Sequence, residues 1–333
     1  MSLGITDPSG GELGQVIEEP DFRGCTALVL GAGASAPYGF PTGRQLVEDI
    51  CQQFPDFFTH LDSYGSTPRE RRARSEDLVR MLKESACISI DEFLALHAMD
   101  NELLHLGKIA ITSSLLPKED NGKLRETMDW YQDLICWWCT SRVQLGVITF
   151  NYDRSFEQSF YSGLSARVGE RCARGMMLIN ATKRINVMHV HGQFGYLPWD
   201  IEDPNALPYG IARGDPQAWV MKAAGQLRLM FEPPSRMVIA EARHTLTRAS
   251  RVLFLGFGYD TRNLERIVPN WEGEVLPRNA AIAGTAYGLN ALRVAEVGQQ
   301  LRRWAGDLWE GRPDIVPMTV LQFIRDTNWP GQA

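Results

Sequence analysis

Short apolar runs alternate along the chain with longer stretches of helical spacing. The short runs predict buried strands, because parallel strands covered on both faces are almost continuously apolar. The predicted strands are 25–30, 145–150, 186–190, 251–255, 280–283 and one within 315–323. Apolar residues three and four positions apart predict helices over 44–54, 154–160, 237–250, 261–268 and 289–304.

Strands that alternate with helices predict an α/β fold, a Rossmann-like parallel sheet with helices on both faces. We expect one domain over 24–330. Within it, residues 55–145 show repeated helical spacing and few strand signals, which predicts a mostly helical insertion. Residues 1–23 are rich in Gly, Pro, Asp and Glu, and we expect a disordered leader there.

Composition and charge narrow the class of protein. The 34 Lys and Arg residues against 40 Asp and Glu give a net charge of −6, which disfavours direct nucleic-acid binding. No apolar run reaches the roughly 18 residues that span a bilayer, so we expect no membrane segment. Six cysteines are too few for a disulfide framework, and no signal peptide is visible. We therefore expect reduced thiols and a cytoplasmic location.

Polar or glycine residues follow four of the predicted strands. They are Gly31, Asn151, His191 and Gly256. In a parallel sheet, ligands bind at the carboxyl ends of the strands. These four positions therefore predict one ligand site at that edge.

The segment after the first strand runs GAGASAPYGFPTGR from Gly31 to Arg44. Glycines between a strand and a helix let the backbone approach a phosphate, although a tight turn explains them equally well. The segment has no Walker lysine and lacks the full G-x-G-x-x-G spacing. It resembles the sirtuin pattern GAGxSxxxGxPxxR, with every interval kept. The matching residues are Gly31, Gly33, Ser35, Gly39, Pro41 and Arg44. In sirtuins this loop wraps NAD, so the resemblance implies NAD contacts here, with Ala32 and Phe40 included.

Three further motifs follow in the sirtuin order. Thr149 to Asp153 fits T-x-N-x-D, and His191-Gly192 fits His-Gly. Gly256-Phe257-Gly258 stands where sirtuins carry a Gly-rich turn, and the resemblance implies cofactor contacts for these three residues. The set extends over about residues 24 to 290.

The resemblance implies roles in cleaving nicotinamide from NAD. Asn151 positions water and the ribose, His191 is the base, and Asp153 holds the nicotinamide amide or supports the loop. The residues alone also permit an Asx turn at Asn151 and a packed core histidine at His191. His189, two positions earlier, is the competing histidine. Asp260 is better explained as a helix N-cap than as a ligand.

Departures from the pattern point to one kind of sirtuin-like protein. The chain has one C-x-x-C pair, Cys136 and Cys139, where the zinc ribbon of sirtuin deacylases needs two, so we expect no metal. Thr42-Gly43 replaces Asp-Phe, and Phe150 replaces the Gln before the Asn. These changes favour the bacterial NAD-consuming type that lacks the ribbon and is found in anti-phage systems.

The leading hypothesis is an NAD glycohydrolase that forms nicotinamide and ADP-ribose. The alternatives are an NAD-dependent protein deacylase or ADP-ribosyltransferase, and a non-catalytic sensor of NAD or ADP-ribose. Because an ungated NADase would kill its host, we expect gating by homo-oligomerisation or by a partner encoded nearby, with 55–145 as the interface. We expect Gly33→Val to abolish NAD binding without unfolding the chain, and His189→Ala to leave the chemistry unchanged.

Overall fold

A six-stranded, fully parallel sheet organises the chain in the computed structural model, in the order β3-β2-β1-β4-β5-β6. The structure describes residues 24–126, 130–141, 143–173, 185–200, 206–210, 216–269 and 275–327. The strands are β1 (Cys25–Leu30), β2 (Gln144–Thr149), β3 (Ile185–His189), β4 (Ala249–Leu255), β5 (Ala281–Thr285) and β6 (Asp314–Val316). The α/β fold predicted from the sequence is confirmed, whereas the leader 1–23 lies outside the described residues.

Thirteen helices of the described residues are labelled in chain order. They are α1 (Ala32–Ser35), α2 (Gly43–Thr59), α3 (Pro68–Glu84), α4 (Ile90–Leu96), α5 (Asn101–Leu115), α6 (Asn121–Glu126), α7 (Trp130–Thr140), α8 (Ser155–Val168), α9 (Pro216–Ala224), α10 (Arg236–Arg248), α11 (Thr261–Arg266), α12 (Ala291–Ala305) and α13 (Val320–Asp326). Helices α3 to α7 lie inside 55–145, as the apolar spacing predicts, and the domain bounds themselves remain a prediction.

Three predicted elements differ clearly from the structure, and one of them is helix α8, which ends at Val168 rather than at residue 160. Helix α2 continues through Pro55 to Thr59, beyond the predicted end at residue 54. The last strand is only three residues long, and the rest of the apolar run forms α13. The cause is Thr319, whose side chain accepts from the backbone of Gln322 while Gln322 reaches back, a capping box that starts a helix.

Side chains of the central strands alternate between two apolar cores. Leu28 and Leu30 of β1 belong to one cluster, together with most of the insertion. Ala27 and Val29 belong to the other, with α10, α11 and α12. Because successive residues of a strand face opposite sides of the sheet, both faces are covered. Among the described residues, no helix combines the length and apolar character that crossing a membrane requires.

Candidate active site at the carboxyl edge

The ends of β1, β2, β3 and β4 meet at one edge. Leu30 pairs in register with Thr149 and with Leu255, and Thr149 pairs with His189. The residues that follow these strand ends are the four predicted positions. The parallel register therefore brings them to the same side of the sheet.

The glycines of the first loop pack against the loop after β4. The Gly31 amide donates to Leu255 O at 3.2 Å, and the Gly33 amide donates to Gly256 O at 2.9 Å. Gly256 has a φ of +58°, and a Cβ there would lie 2.1 Å from Ala34 N. Close contact between two backbones thus requires glycine here whether or not a phosphate binds. Contact with NAD remains a prediction for this loop.

That Gly33→Val leaves the chain folded stays a prediction, but the contacts of Gly33 indicate a cost in stability. A Cβ on Gly33 would lie 2.8 Å from Gly256 Cα, so any side chain pushes the two loops apart. We expect Gly33→Ala to lower the free energy of unfolding by about 1–3 kcal/mol in urea denaturation. Gly258→Ala is the matched control, because its Cβ would meet nothing within 4 Å, and a change of at most about 0.5 kcal/mol is expected. Equal stability of the two variants would contradict the contact.

A chain of hydrogen bonds joins the first loop to the end of β2. Asn151 Nδ2 donates to Gly31 O and to Ser35 Oγ, both at 3.0 Å. Ser35 Oγ donates in turn to Asp153 Oδ2 at 2.8 Å. Both amide hydrogens of Asn151 are thereby used. Within the described residues its Oδ1 has no such bond, which leaves that oxygen able to accept from a ligand or water.

Asp153 is a buried carboxylate at the start of α8. Burial raises its pKa to about 6, although hydrogen bonds from Ser155 and Ser35 lower it. The nearby charge of Glu119 adds to the rise. Above about pH 6 the carboxylate is ionised and accepts the hydrogen bond that the Ser35 hydroxyl donates. The arrangement fits the role of loop support predicted for Asp153.

His191 lies just beyond β3 and is 5% exposed. Its Nε2 bonds to Asn263 Oδ1 at 3.1 Å, and its ring lies 5.4 Å from the Phe150 ring in an edge contact. Burial lowers the pKa of His191 to about 4, so the imidazole is neutral at physiological pH. Among the described residues, its buried Nδ1 has no hydrogen-bond partner. A buried acceptor without a donor costs about 1–3 kcal/mol, which a ligand hydroxyl would relieve.

His189 occupies a different environment. Its Nδ1 bonds to Asn151 O at 2.9 Å and its Nε2 to Glu157 Oε1 at 2.5 Å. Burial lowers the pKa of His189, but Glu157, the Asn151 carbonyl and Asp153 together outweigh burial, and the pKa is raised. With both nitrogens engaged, this histidine anchors the Asn151 backbone. That His189→Ala leaves the chemistry largely unchanged and affects only stability stays a prediction, although the change would remove the bonds of His189 to Asn151 O and Glu157 Oε1.

The other predicted contact residues divide between this edge and other surroundings. Phe257 is buried, with its ring 5.2 Å from that of Phe150. Phe40 is buried in the core with the insertion. Ala32, Gly39 and Gly258 are exposed, and Pro41 is half-buried. Arg44 is exposed, pairs with Glu48 at 3.6 Å, and lines a separate cavity of about 460 Å³ beside Cys51.

Two supporting side chains were not foreseen from the sequence. Asn263 on α11 is hydrogen-bonded to His191. In the sequence, only its position about one turn beyond Gly256-Phe257-Gly258 could have indicated this role. Trp130, the first residue of α7, donates its indole N–H to Ala34 O at 3.0 Å. Its neighbour Tyr131 stacks on Tyr38, with ring centroids 4.3 Å apart. Asp260 caps α11, as predicted, by accepting from the backbone of residues 262 and 263.

Comparisons with known proteins found similarity only among solved structures. No family model and no curated protein matches the chain. Sir2Tm bound to a propionylated peptide is 14% identical, with 92% of this chain and 93% of that chain covered and a TM-score of 0.38. Sir2 with a p53 peptide and NAD+ is 16% identical, with 92% and 93% covered and a TM-score of 0.38. The chain is similar to these Sir2 structures over most of its length.

The C-x-x-C pair lies on α7. Cys136 is exposed and accepts a hydrogen bond from Arg167 Nη2 at 3.0 Å. Cys139 is half-buried against the core that includes the insertion. In the part of the chain that the structure describes, no group of three or more His, Cys, Asp or Glu side chains is placed to hold a metal ion.

Proposed function

We propose that the chain binds NAD at the carboxyl edge of the sheet and hydrolyses the bond between nicotinamide and ribose. The ordered sirtuin-like motifs support this proposal. The observation that carries it is the pair of unused acceptors at one edge, Asn151 Oδ1 and His191 Nδ1. A pocket that handles water and ribose hydroxyls needs such acceptors.

The reaction consumes NAD and water and yields nicotinamide, ADP-ribose and a proton. The bond from the ribose anomeric carbon to the pyridinium nitrogen breaks, and its electron pair neutralises the nicotinamide ring. The water oxygen forms the new bond to the same carbon. Asn151 Oδ1 orients the water, and neutral His191 accepts the proton that water loses before it passes to solvent. The Ser35 and Asp153 hydrogen bonds keep Asn151 in place.

A cavity of about 870 Å³ beside β3 favours a second candidate, transfer to a protein acceptor. Its lining includes Val190, Gly192 and Arg228, next to the loop that carries His191. An acceptor seated there would lie close to the base. In that case nicotinamide is still released, and the ADP-ribosyl group either takes the acyl group of the acceptor, which leaves deacylated, or becomes attached to the acceptor itself.

One assay separates these functions. The pure chain is incubated with NAD, with and without an acyl-lysine peptide, while nicotinamide and ADP-ribose are followed by chromatography. Equal amounts of both products without peptide support hydrolysis. Release only with peptide supports acyl transfer. Binding of NAD in calorimetry without nicotinamide release would overturn catalysis and leave a sensor.

We further propose that self-association through the insertion gates this activity. Three of its apolar side chains are strongly exposed around α4, namely Ile88 (73%), Leu96 (70%) and Met99 (95%). Three large exposed apolar side chains within the short segment 88–99 favour a protein interface there. We expect Met99→Asp to reduce the solution mass in light scattering and the nicotinamide release per chain. Leu292→Asp, on α12 and 69% exposed, is the control. Full activity of a monomer would refute the gate.

A further inference from the structure

The hydrogen bond between His191 and Asn263 determines which imidazole nitrogen carries the proton. Asn263 Oδ1 lies 3.1 Å from His191 Nε2, and a carbonyl oxygen can only accept. Nε2 therefore carries the hydrogen in the neutral ring, and Nδ1 is left as a bare acceptor. A second N–H at Nδ1 would have no acceptor among the described residues.

We propose that Asn263 is a positioning residue that holds His191 in the Nε2–H tautomer, so that Nδ1 is the atom that takes the proton. The chemical consequence of this tautomer, proton transfer to Nδ1, rests on the proposed function. It names the basic atom and assigns a role to α11, a helix outside the sirtuin-like motifs. Asn263 acts through His191 and does not itself contact the reacting atoms.

The turn before α11 holds Asn263 in this place. Asp260 Oδ1 accepts from the backbone amides of Arg262 and Asn263 at 2.9 and 3.3 Å, which fixes the first turn of the helix. Tyr259, just before the cap, has a φ of +55°, a conformation that side chains other than glycine rarely adopt. Its hydroxyl donates to Thr285 O at 3.0 Å, and its ring lies 5.5 Å from the Phe257 ring.

Such strain costs about 1–3 kcal/mol and persists only where the surroundings enforce it. Strained backbone is concentrated at functional sites, where it orients side chains. The strained residue here, Tyr259, lies between Gly256 and Asn263 in the chain. Helix α11 thereby fixes the segment that begins at Gly256, after β4, relative to His191, after β3.

Few charges act on His191. Arg266 lowers its pKa and Asp260 raises it, both from α11 or its cap. On the side of β2, the ring centroids of Tyr152 and His191 lie 6.5 Å apart. Burial raises the pKa of the Tyr152 phenol well above its usual value, so this group stays neutral. A carboxylate in place of the Asn263 amide would thus be the closest charge to the ring and would raise the pKa of His191.

The test uses the full chain labelled with ¹⁵N-histidine, and the His191 signal is assigned by its loss in His191→Gln. The wild-type imidazole is expected to show protonated Nε2 and bare Nδ1. Asn263→Leu, which removes the acceptor, is expected to mix the tautomers and to lower nicotinamide release by roughly 10²-fold. Asn263→Asp keeps the tautomer, retains most of the rate, and moves the acidic limb of the pH profile to higher pH. Thr261→Val, on the same helix as Asn263, removes the hydrogen bond that Gln300 Nε2 of α12 donates to Thr261 Oγ1, and it leaves the tautomer and rate unchanged.

A wild-type ring protonated at Nδ1 would overturn the proposal, as would Asn263→Leu with an unchanged tautomer. A tautomer that responds to Asn263→Leu in a protein that releases no nicotinamide would instead refute the proposed function alone. The spectroscopic readout therefore separates the two failures.

Discussion

Replacing Arg154 with alanine is expected to lower the free energy of unfolding by about 3–5 kcal/mol. Its guanidinium is 1% exposed and Nε donates to Glu119 Oε1 at 3.0 Å, while Nη2 donates to Glu119 Oε2. Nη1 also donates to Gly195 O at 3.2 Å and to Leu207 O at 2.6 Å. Without Arg154, the Glu119 carboxylate stays buried without its counter-charge, and the carbonyls of Gly195 and Leu207 lose a shared donor.

Urea denaturation at neutral pH measures this effect. The matched control is Arg80→Ala, which breaks an ion pair with Asp77 whose side chains are 57% and 67% exposed. Exposed pairs are worth about 0–1 kcal/mol, so this variant stays close to wild type. Glu119→Gln, alone and with Arg154→Ala, completes a double-mutant cycle, and coupling near zero would show that the two groups stabilise the fold separately.

Asn151→Ala and His191→Ala are each expected to lower nicotinamide release by about 10²–10⁴-fold. The first removes the acceptor that orients water and loosens Ser35, and the second removes the base. Because the two groups serve one step, the double variant loses little more than the worse single variant. Calorimetry should show NAD affinity changed far less than turnover.

His244→Ala is the histidine control for this series, since its side chain is exposed on α10, away from the carboxyl edge. We expect wild-type turnover and stability from it. Additive losses in the Asn151 and His191 double variant would indicate separate roles. Loss of NAD binding in His191→Ala would reassign that residue from catalysis to binding.

The sheet was predictable because a parallel strand buried on both faces leaves a continuous apolar run. The same reasoning placed Asn151 and His191 at one edge, since parallel strands carry their carboxyl ends together. It failed at residues 315–323, where apolar content suits a strand or a helix equally. Only the capping box of Thr319 and Gln322 decides between them.

Side-chain partners were less predictable. His189 and His191 differ in sequence only by the glycine that follows the second. In the structure, Glu157 engages one ring and Asn263 the other, across 32 and 72 residues of chain. Such pairings depend on how helices pack on the sheet. No local sequence pattern predicts these pairings, and the same is true of the ion pair between Arg154 and Glu119.

The indole of Trp130 connects the insertion directly to the loop that begins at Gly31. The bond from Nε1 to Ala34 O is 3.0 Å long, and it lies at the very start of α7. Any shift of the start of α7 away from the sheet would leave the Ala34 carbonyl without its indole donor, in a loop whose Gly33 amide already bonds to Gly256 O.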